Sequence, residues 1–295
     1  MKIAVISITY NDGYKIKEWK KWYDEYKNEV YLHIIVDNGS DEEYFKELYE
    51  YFPTSVILQL GYNGGCTGAY NFAIDYALKD TNVDAIVLLG NDIRMPKGEM
   101  TKLYQFLYED ISYGMVYPLL LNSTSSKQNP PNYGYVVDKK KLEMEPVKNE
   151  DDIYSSNCGP GGCNMAKPLF YRKVGLQDGN LFMYFDEVDM ALRTEKVGLK
   201  MATTSNVHAW HMHINKNGGE KRFPLAAYLL ARNRIYLAKK HFGVCCKIKF
   251  SLYGLYCGVS NLLSKGNVNR DALNYNKAYL RGVLAGILNN MSNRF

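Results

Sequence analysis

Ala85-Ile86-Val87-Leu88-Leu89-Gly90-Asn91-Asp92 decides how this chain is read. Five apolar residues run without a polar break, then stop at a glycine, an amide and a carboxylate. A run this short and continuous suits a strand covered on both faces, as in a parallel sheet. The same design recurs upstream. Lys2–Thr9 ends in Thr9-Tyr10-Asn11-Asp12, Val30–Val36 in Asp37-Asn38-Gly39-Ser40, and Val56–Leu60 in Gly61-Tyr62-Asn63-Gly64-Gly65. Helical patterns fall between these runs, near Ile16–Lys27, Glu42–Tyr51 and Gly68–Leu78, and Lys97–Tyr108 follows the quoted stretch. This βαβαβα order predicts an α/β fold with a mostly parallel central sheet flanked by helices. Ligands in such sheets sit beyond the carboxyl ends of the strands, where these polar and glycine residues stand.

Further along, Leu121–Ser156 turns polar and irregular. Ser123–Pro131 and Lys139–Asp152 read as loops, with a hairpin around Tyr133–Val137 and a glycine-rich bend at Cys158–Asn164. A carboxylate-rich helix start follows at Asp186-Glu187-Val188-Asp189, then a strand carrying His208, His211 and His213. After Lys216–Gly219 the chain reads as three helices, Leu225–His241, Lys247–Ser264 and Ala272–Asn290, with breaks at Gly218-Gly219 and Gly266-Asn267. Two units are expected: a catalytic one over 1–219 and a basic, mostly helical one over 220–295.

At 295 residues, 46% hydrophobic and 23% charged, the chain has the composition of a globular protein. Its six cysteines form no C-x-x-C pair and read as reduced cytosolic thiols. The first apolar run is too short for a secretory signal, and no stretch reaches the ~20 apolar residues of a membrane span. Charge is uneven. Residues 216–295 hold fourteen Lys and Arg against two acidic residues, whereas residues 1–215 hold twenty-two against twenty-nine. A basic region mixing Lys247 and Lys249 with Phe250, Leu252, Tyr253, Leu255 and Tyr256 suits an anionic membrane surface, or a helical subdomain that packs on the core or dimerises. No nucleic-acid recognition module is visible, and no nucleic-acid partner is expected.

Several candidate residues carry two readings each. Asp37 either accepts from a base N–H or ribose hydroxyl, or caps an Asn-Gly turn. Asn63-Gly64-Gly65-Cys66-Thr67-Gly68 falls one residue short of G-x-G-x-x-G and is the basis for a nicotinamide-binding reading. Asp92 is placed to hold Mg2+ or Mn2+ against phosphate oxygens, or else caps the helix beginning near Pro96. Asp186 is a candidate N-cap, with Glu187 and Asp189 in an acidic first turn and Arg193 paired to Asp189. His211 shares a strand face with Ala209 and His213, while Trp210 and Met212 point the other way.

Together these segments resemble the family 2 glycosyltransferases, over roughly residues 1–240. Ser7–Asn11, Val36–Ser40 and Leu60–Gly65 with Gly68–Asn71 are similar to that family's nucleotide-contacting segments. Gly90-Asn91-Asp92 stands where its D-x-D motif ends, with only the last Asp kept. Phe185–Arg193, Trp210-His211-Met212 and Arg232-Asn233-Arg234 resemble the rhamnosyl- and galactofuranosyltransferase subgroup in order and spacing.

The resemblance implies a GT-A (Rossmann-like) fold and inversion by a single displacement, with Glu187 as general base and Asp186 supporting it. It assigns a Mg2+ or Mn2+ ion to Asp92 and His211. The nucleotide falls to Thr9, Tyr10, Asn11, Asp37, Asn63, Gly65 and Asn91, and other substrate contacts to Asp189, Trp210, Gly162 and Arg232. The expected partners are a UDP- or dTDP-sugar donor and a glycan or lipid-linked acceptor of bacterial-type surface polysaccharide synthesis. The expected location is cytoplasmic, with the inner-membrane face and a homodimer left open. The rival readings are a non-catalytic nucleotide-sugar binder and a nicotinamide oxidoreductase.

Overall fold

β1 (Ile3–Thr9) is hydrogen-bonded on both sides, in parallel, to β2 (Leu32–Asp37) and β4 (Ala85–Leu89). The computed structural model describes residues 1–122, 131–212, 223–265 and 270–292. The eight-stranded sheet has the order β3-β2-β1-β4-β9-β6-β10-β5, with β3 at Val56–Gln59, β5 at Ile93–Arg94, β6 at Tyr113–Asn122, β9 at Cys163–Ala166 and β10 at Lys200–His211. β3, β2, β1 and β4 run parallel, and so do β6 and β10. β9 is antiparallel to both its neighbours, and the two-residue β5 returns antiparallel to the end of β10.

Strand alternation divides the core into two layers. Ile3, Val5, Ile35, Val87 and Leu89 face α1 (Ile16–Tyr26), α2 (Glu42–Tyr51) and α4 (Glu99–Glu109). Ala4, Ile6, Ile34, Val36, Ile86 and Leu88 face α3 (Gly65–Ala77), α5 (Pro168–Val174) and α6 (Asp186–Lys196). Because helices cover both faces, β1 and β4 bury almost every residue, as their unbroken apolar runs imply. Three helices complete the described chain: α7 (Phe223–Phe242), α8 (Val244–Lys265) and α9 (Arg270–Ile287). They join the second layer through Ala231, Ile235, Phe250 and Val283.

The α/β sheet, its first four helices and the three C-terminal helices follow the sequence reading, with boundaries moved by a few residues. The middle of the chain differs. Residues 143–146, read as loop, form β8, which pairs with β7 (Tyr135–Asp138) as the second strand of the hairpin. β6, β9 and α5 have no counterpart in the sequence reading. Pro118 interrupts the strand signal of β6. The sheet accommodates it because the register of β10 shifts between Thr204, opposite Pro118, and His208, opposite Leu119. Residue 213, the loop at 123–130 and the breaks at 218–219 and 266–267 lie outside the described residues.

Candidate active site

The carboxyl ends of β1, β2, β3 and β4 meet at one edge of the sheet. Asp37 is fully buried there, and both its oxygens accept from the Ser40 N–H, at 3.2 and 3.3 Å. Asp37 thereby fixes the turn after β2. Asn38 joins this turn to the third loop. Its Oδ1 accepts from the Gly64 N–H at 2.9 Å, and its Nδ2 donates to the Gly65 carbonyl at 3.2 Å. Asn38 was missed because an Asn-Gly pair signals a turn by itself and says nothing of a partner 26 residues on.

Thr9 and Asn91 are also buried. Asn91 Nδ2 donates to Thr9 Oγ1 at 3.2 Å and to Asp12 Oδ2 at 2.8 Å, and Lys15 pairs with the same Asp12 oxygen at 3.2 Å. These side chains hold the first and fourth loops together. The open groups of this half are Tyr10, 46% exposed, with Asn11 and Asn63. Asn11, at φ 51°, donates its N–H to Ser40 Oγ at 2.9 Å and accepts from the Asp41 N–H at 3.0 Å.

The loop at 63–68 is closed to a pyrophosphate. The Gly65 N–H is taken by Asn63 Oδ1 at 3.0 Å, and the Thr67 N–H by the Phe182 carbonyl at 3.2 Å. Gly65 has φ +71°, and a Cβ there would stand 2.2 Å from the Phe182 oxygen, so only glycine fits. Its place is structural, and the basis of the nicotinamide reading is gone.

Asp92 ends its loop facing β10. Its Oδ2 lies 3.3 Å from His211 Nε2, the Met212 N–H donates to the Asp92 carbonyl at 2.9 Å, and both side chains keep about 30% exposure. Burial pushes the Asp92 carboxyl up. The His211 bond and the charges of Lys15 and His211 outweigh it and hold the group below its ordinary value. Asp92 does not cap α4, whose preceding residue is Gly98. Two ligands about 2.1 Å from one ion at right angles stand about 3 Å apart. A carboxylate oxygen and an imidazole nitrogen at this separation, both reachable, fit one divalent cation. Among the described residues no cluster of three or more His, Cys, Asp or Glu stands ready to bind a metal, so further ligands would come from substrate or water.

The other half is the segment entering α6. Phe182, Tyr184 and Phe185 have φ of 63°, 66° and 68°, a left-handed conformation that side chains with a Cβ adopt at a cost. Two fully buried residues of α7 hold it. Asn233 Nδ2 donates to the carbonyls of Leu181, Met183 and Tyr184, at 3.1, 2.9 and 2.9 Å. Arg232 Nη2 donates to those of Asn180 and Leu181, at 3.2 and 3.1 Å. Arg232 therefore braces this segment.

Phe185 takes the cap position of α6, so Asp186 is its first helical residue and not the N-cap. Asp186 is buried, and burial together with the Glu187 charge raises its carboxyl well above the ordinary range. Glu187 is half-buried and lies against the glycine-rich bend, where a Cβ on Gly161 would stand 2.7 Å from its Oε1. Of the two adjacent carboxyl groups, Asp186 is enclosed and Glu187 is the one that keeps surface.

Asp189 is fully enclosed. Arg193 Nε reaches its Oδ2 at 2.8 Å, and Lys240 Nζ and His241 Nε2 reach its Oδ1 at 2.6 and 2.7 Å. Burial raises this carboxyl, but His241, Arg193 and Lys240 lower it to about 2. Through Lys240 and His241 it ties α6 to α7. Trp210 lies on the strand face opposite His211, its ring 6.2 Å from that of His208. His208 belongs to α4, through its N–H to Glu99 Oε2 at 2.6 Å. Gly162 contributes a carbonyl that accepts from the Gly90 N–H at 2.8 Å.

Burial chiefly raises the phenol of Tyr70 in α3, with Cys66, Asp92 and Asp186 adding to that rise. A hollow of about 710 Å3 between α6 and the first half of β10 contains none of these residues.

The profile described as Glycosyl transferase family 2 matches residues 5–167. The chain is 24% identical over 268 residues to the low-salt glycan biosynthesis hexosyltransferase Agl10 of Haloferax volcanii, covering 88% of this chain and 83% of that protein. Its structure resembles GalNAc-T7, solved with UDP, GalNAc and Mn2+, at a TM-score of 0.62 and 12% identity. That match covers 81% of this chain and 50% of the other, so this chain spans half the length of that protein. It also resembles the mannosyltransferase PcManGT from Pyrobaculum calidifontis, in complex with GDP-Man and Mn2+, at 0.58 and 13% identity over 98% of this chain and 88% of that one. Both are likenesses of fold.

Proposed function

This chain belongs to glycosyl transferase family 2 and is a glycosyltransferase of the GT-A fold, and from that premise we propose that it transfers a hexosyl group with inversion from a nucleotide-sugar donor. Residues 1–219 form the catalytic unit and residues 220–295 the helical region that completes it. The observation that carries the reading is the pair at the start of α6: Asp186 is buried, while Glu187 keeps surface beside the glycine-rich bend. Glu187 takes the proton from an acceptor hydroxyl, and that oxygen attacks the anomeric carbon from the side opposite the leaving diphosphate. The carbon–oxygen bond to the diphosphate breaks as the new glycosidic bond forms, so the configuration inverts.

Asp92 and His211 would hold a Mg2+ or Mn2+ ion, which supplies positive charge against the diphosphate when bound. The Mn2+ in GalNAc-T7 and PcManGT supports this reading. Tyr10, Asn11 and Asn63 line the nucleotide's approach. UDP, dTDP and GDP donors all fit these polar loops, and a rhamnosyl- or galactofuranosyl-type transfer fits the segments after residue 180. The acceptor is a surface glycan or its lipid-linked precursor, in keeping with the role of Agl10 in glycan biosynthesis.

The test is a panel of UDP-, dTDP- and GDP-hexoses with Mn2+ or Mg2+, reading transfer and the anomeric configuration of the product by proton NMR. Inverted product from one nucleotide class is expected. Retained configuration would refute the single displacement.

A further inference from the structure

α8 carries a face that nothing in the described structure covers. Ile248, Leu252, Tyr256, Val259 and Leu263 are 53%, 63%, 71%, 48% and 81% exposed. At about 100° per residue these five fall within a stripe roughly 80° wide, running about 22 Å along the helix. Val244, Cys245 and Leu255 fall on or beside the same stripe, which contains no charged residue. The opposite face is used inside the protein. Phe250 is buried, and Gly258 lies so close to α9 that a Cβ would stand 2.2 Å from Leu280 Cδ2.

Scattered apolar side chains need no explanation, but a continuous apolar stripe on a helix otherwise anchored in the fold does. Its charge setting selects the occupant. α8 has no acidic residue, and Lys249 is exposed at the edge of the stripe, whereas Lys247 turns inward to the Ile287 carbonyl at 2.7 Å. The segment 216–295 holds fourteen Lys and Arg against two acidic residues. A second copy packed stripe to stripe would bring two cationic segments together, and that repulsion opposes dimerisation. An anionic phospholipid surface reverses the sign: the stripe enters the acyl boundary while Lys249 meets the head groups. Tyr256 forms one edge of the stripe and Tyr253, 55% exposed, lies beyond that edge, and tyrosine suits the level of the head groups. No described helix is long and apolar enough to cross a bilayer, and the inner face of α8 is committed to α9, so the geometry is that of a helix lying on the surface.

We propose that the outer face of α8 docks this protein on an anionic phospholipid membrane. The contact is independent of the sugar chemistry and is measured without donor or acceptor. The full chain is sedimented with vesicles of phosphatidylcholine alone and with vesicles carrying added phosphatidylglycerol, at low and high salt. Binding is expected only to the anionic vesicles and should weaken in salt. The Leu252→Ser/Tyr256→Ser double variant should lose at least about tenfold in partitioning, since each buried side chain of this size contributes more than one such factor. Lys249→Glu should lose binding at low salt. Circular dichroism and melting of each variant establish that the fold is kept. Absent binding, equal binding to neutral vesicles, or unchanged binding in both variants overturns the proposal. So does a dimer in solution that these same variants dissolve.

Discussion

The two halves of the site are held in different ways. The donor loops, after β1, β2, β3 and β4, brace one another at the sheet edge: Asn38 on Gly64 and Gly65, Asn91 on Thr9 and Asp12, Asn11 on Ser40 and Asp41. The segment presenting Glu187 is held from outside, by Arg232 and Asn233 about fifty residues downstream. The family profile ends at residue 167 and so covers the first half without the second. The difference teaches that α7 holds the segment from which Glu187 projects. Three residues there have positive φ, and a buried amide and a guanidinium engage the carbonyls around them.

The sharpest break in the comparison falls on the donor side. Asp92→Asn removes the charge of the proposed cation pair while keeping its size. Transfer should fall by about a hundredfold or more, with loss of the metal-dependent gain in donor affinity measured by calorimetry. Asn233→Ala strikes the other side without touching any group open to substrate. Three carbonyls lose their donor, so kcat should fall by roughly tenfold to a hundredfold through misplacement of Glu187, while donor affinity stays near the parent value. Equal loss in donor affinity would show that the two halves are not separable.

The smallest effect on activity is expected at Asp189, where the tie between α6 and α7 titrates. Its folded value of about 2 lies below the unfolded value near 3.9, so the stability it contributes is present above about pH 4 and is lost as pH falls toward about 2. That contribution amounts to about 2 kcal/mol. In Asp189→Asn this acid-dependent part of the unfolding curve should disappear. The variant should also be less stable at neutral pH by about 3 kcal/mol, because Arg193, Lys240 and His241 lose their partner. An unchanged slope in acid would refute the assignment.

The sheet was legible because Ala85–Leu89 and Lys2–Thr9 cannot be buried on both faces without helices on each side. The same runs located the loops, since every strand end carries polar or glycine residues. Motif reading could not sort open residues from enclosed ones. Thr9, Asp37, Asn91, Asp186, Asp189 and Arg232 are all buried, whereas Tyr10, Asn11, Asn63, Asp92, Glu187 and His211 keep surface. Enclosure depends on partners far along the chain, such as His241 for Asp189, and spacing carries no record of them. The role of Asn233, visible in the sequence only as part of Arg232-Asn233-Arg234, stayed hidden for the same reason: its amide acquires meaning only when the fold brings it to the carbonyls of Leu181, Met183 and Tyr184. β6 was hidden by Pro118, because the bulge that accommodates it lies on a different strand.

The most direct test of the division between halves is Glu187→Gln, which keeps the shape of the side chain and removes its basicity. Donor binding and its metal dependence should match the parent protein in calorimetry, while single-turnover transfer to acceptor falls by at least about a hundredfold, the contribution of a positioned base. Transfer at the parent rate would contradict the assignment of Glu187, and parallel loss of donor binding would contradict the separation of the two halves.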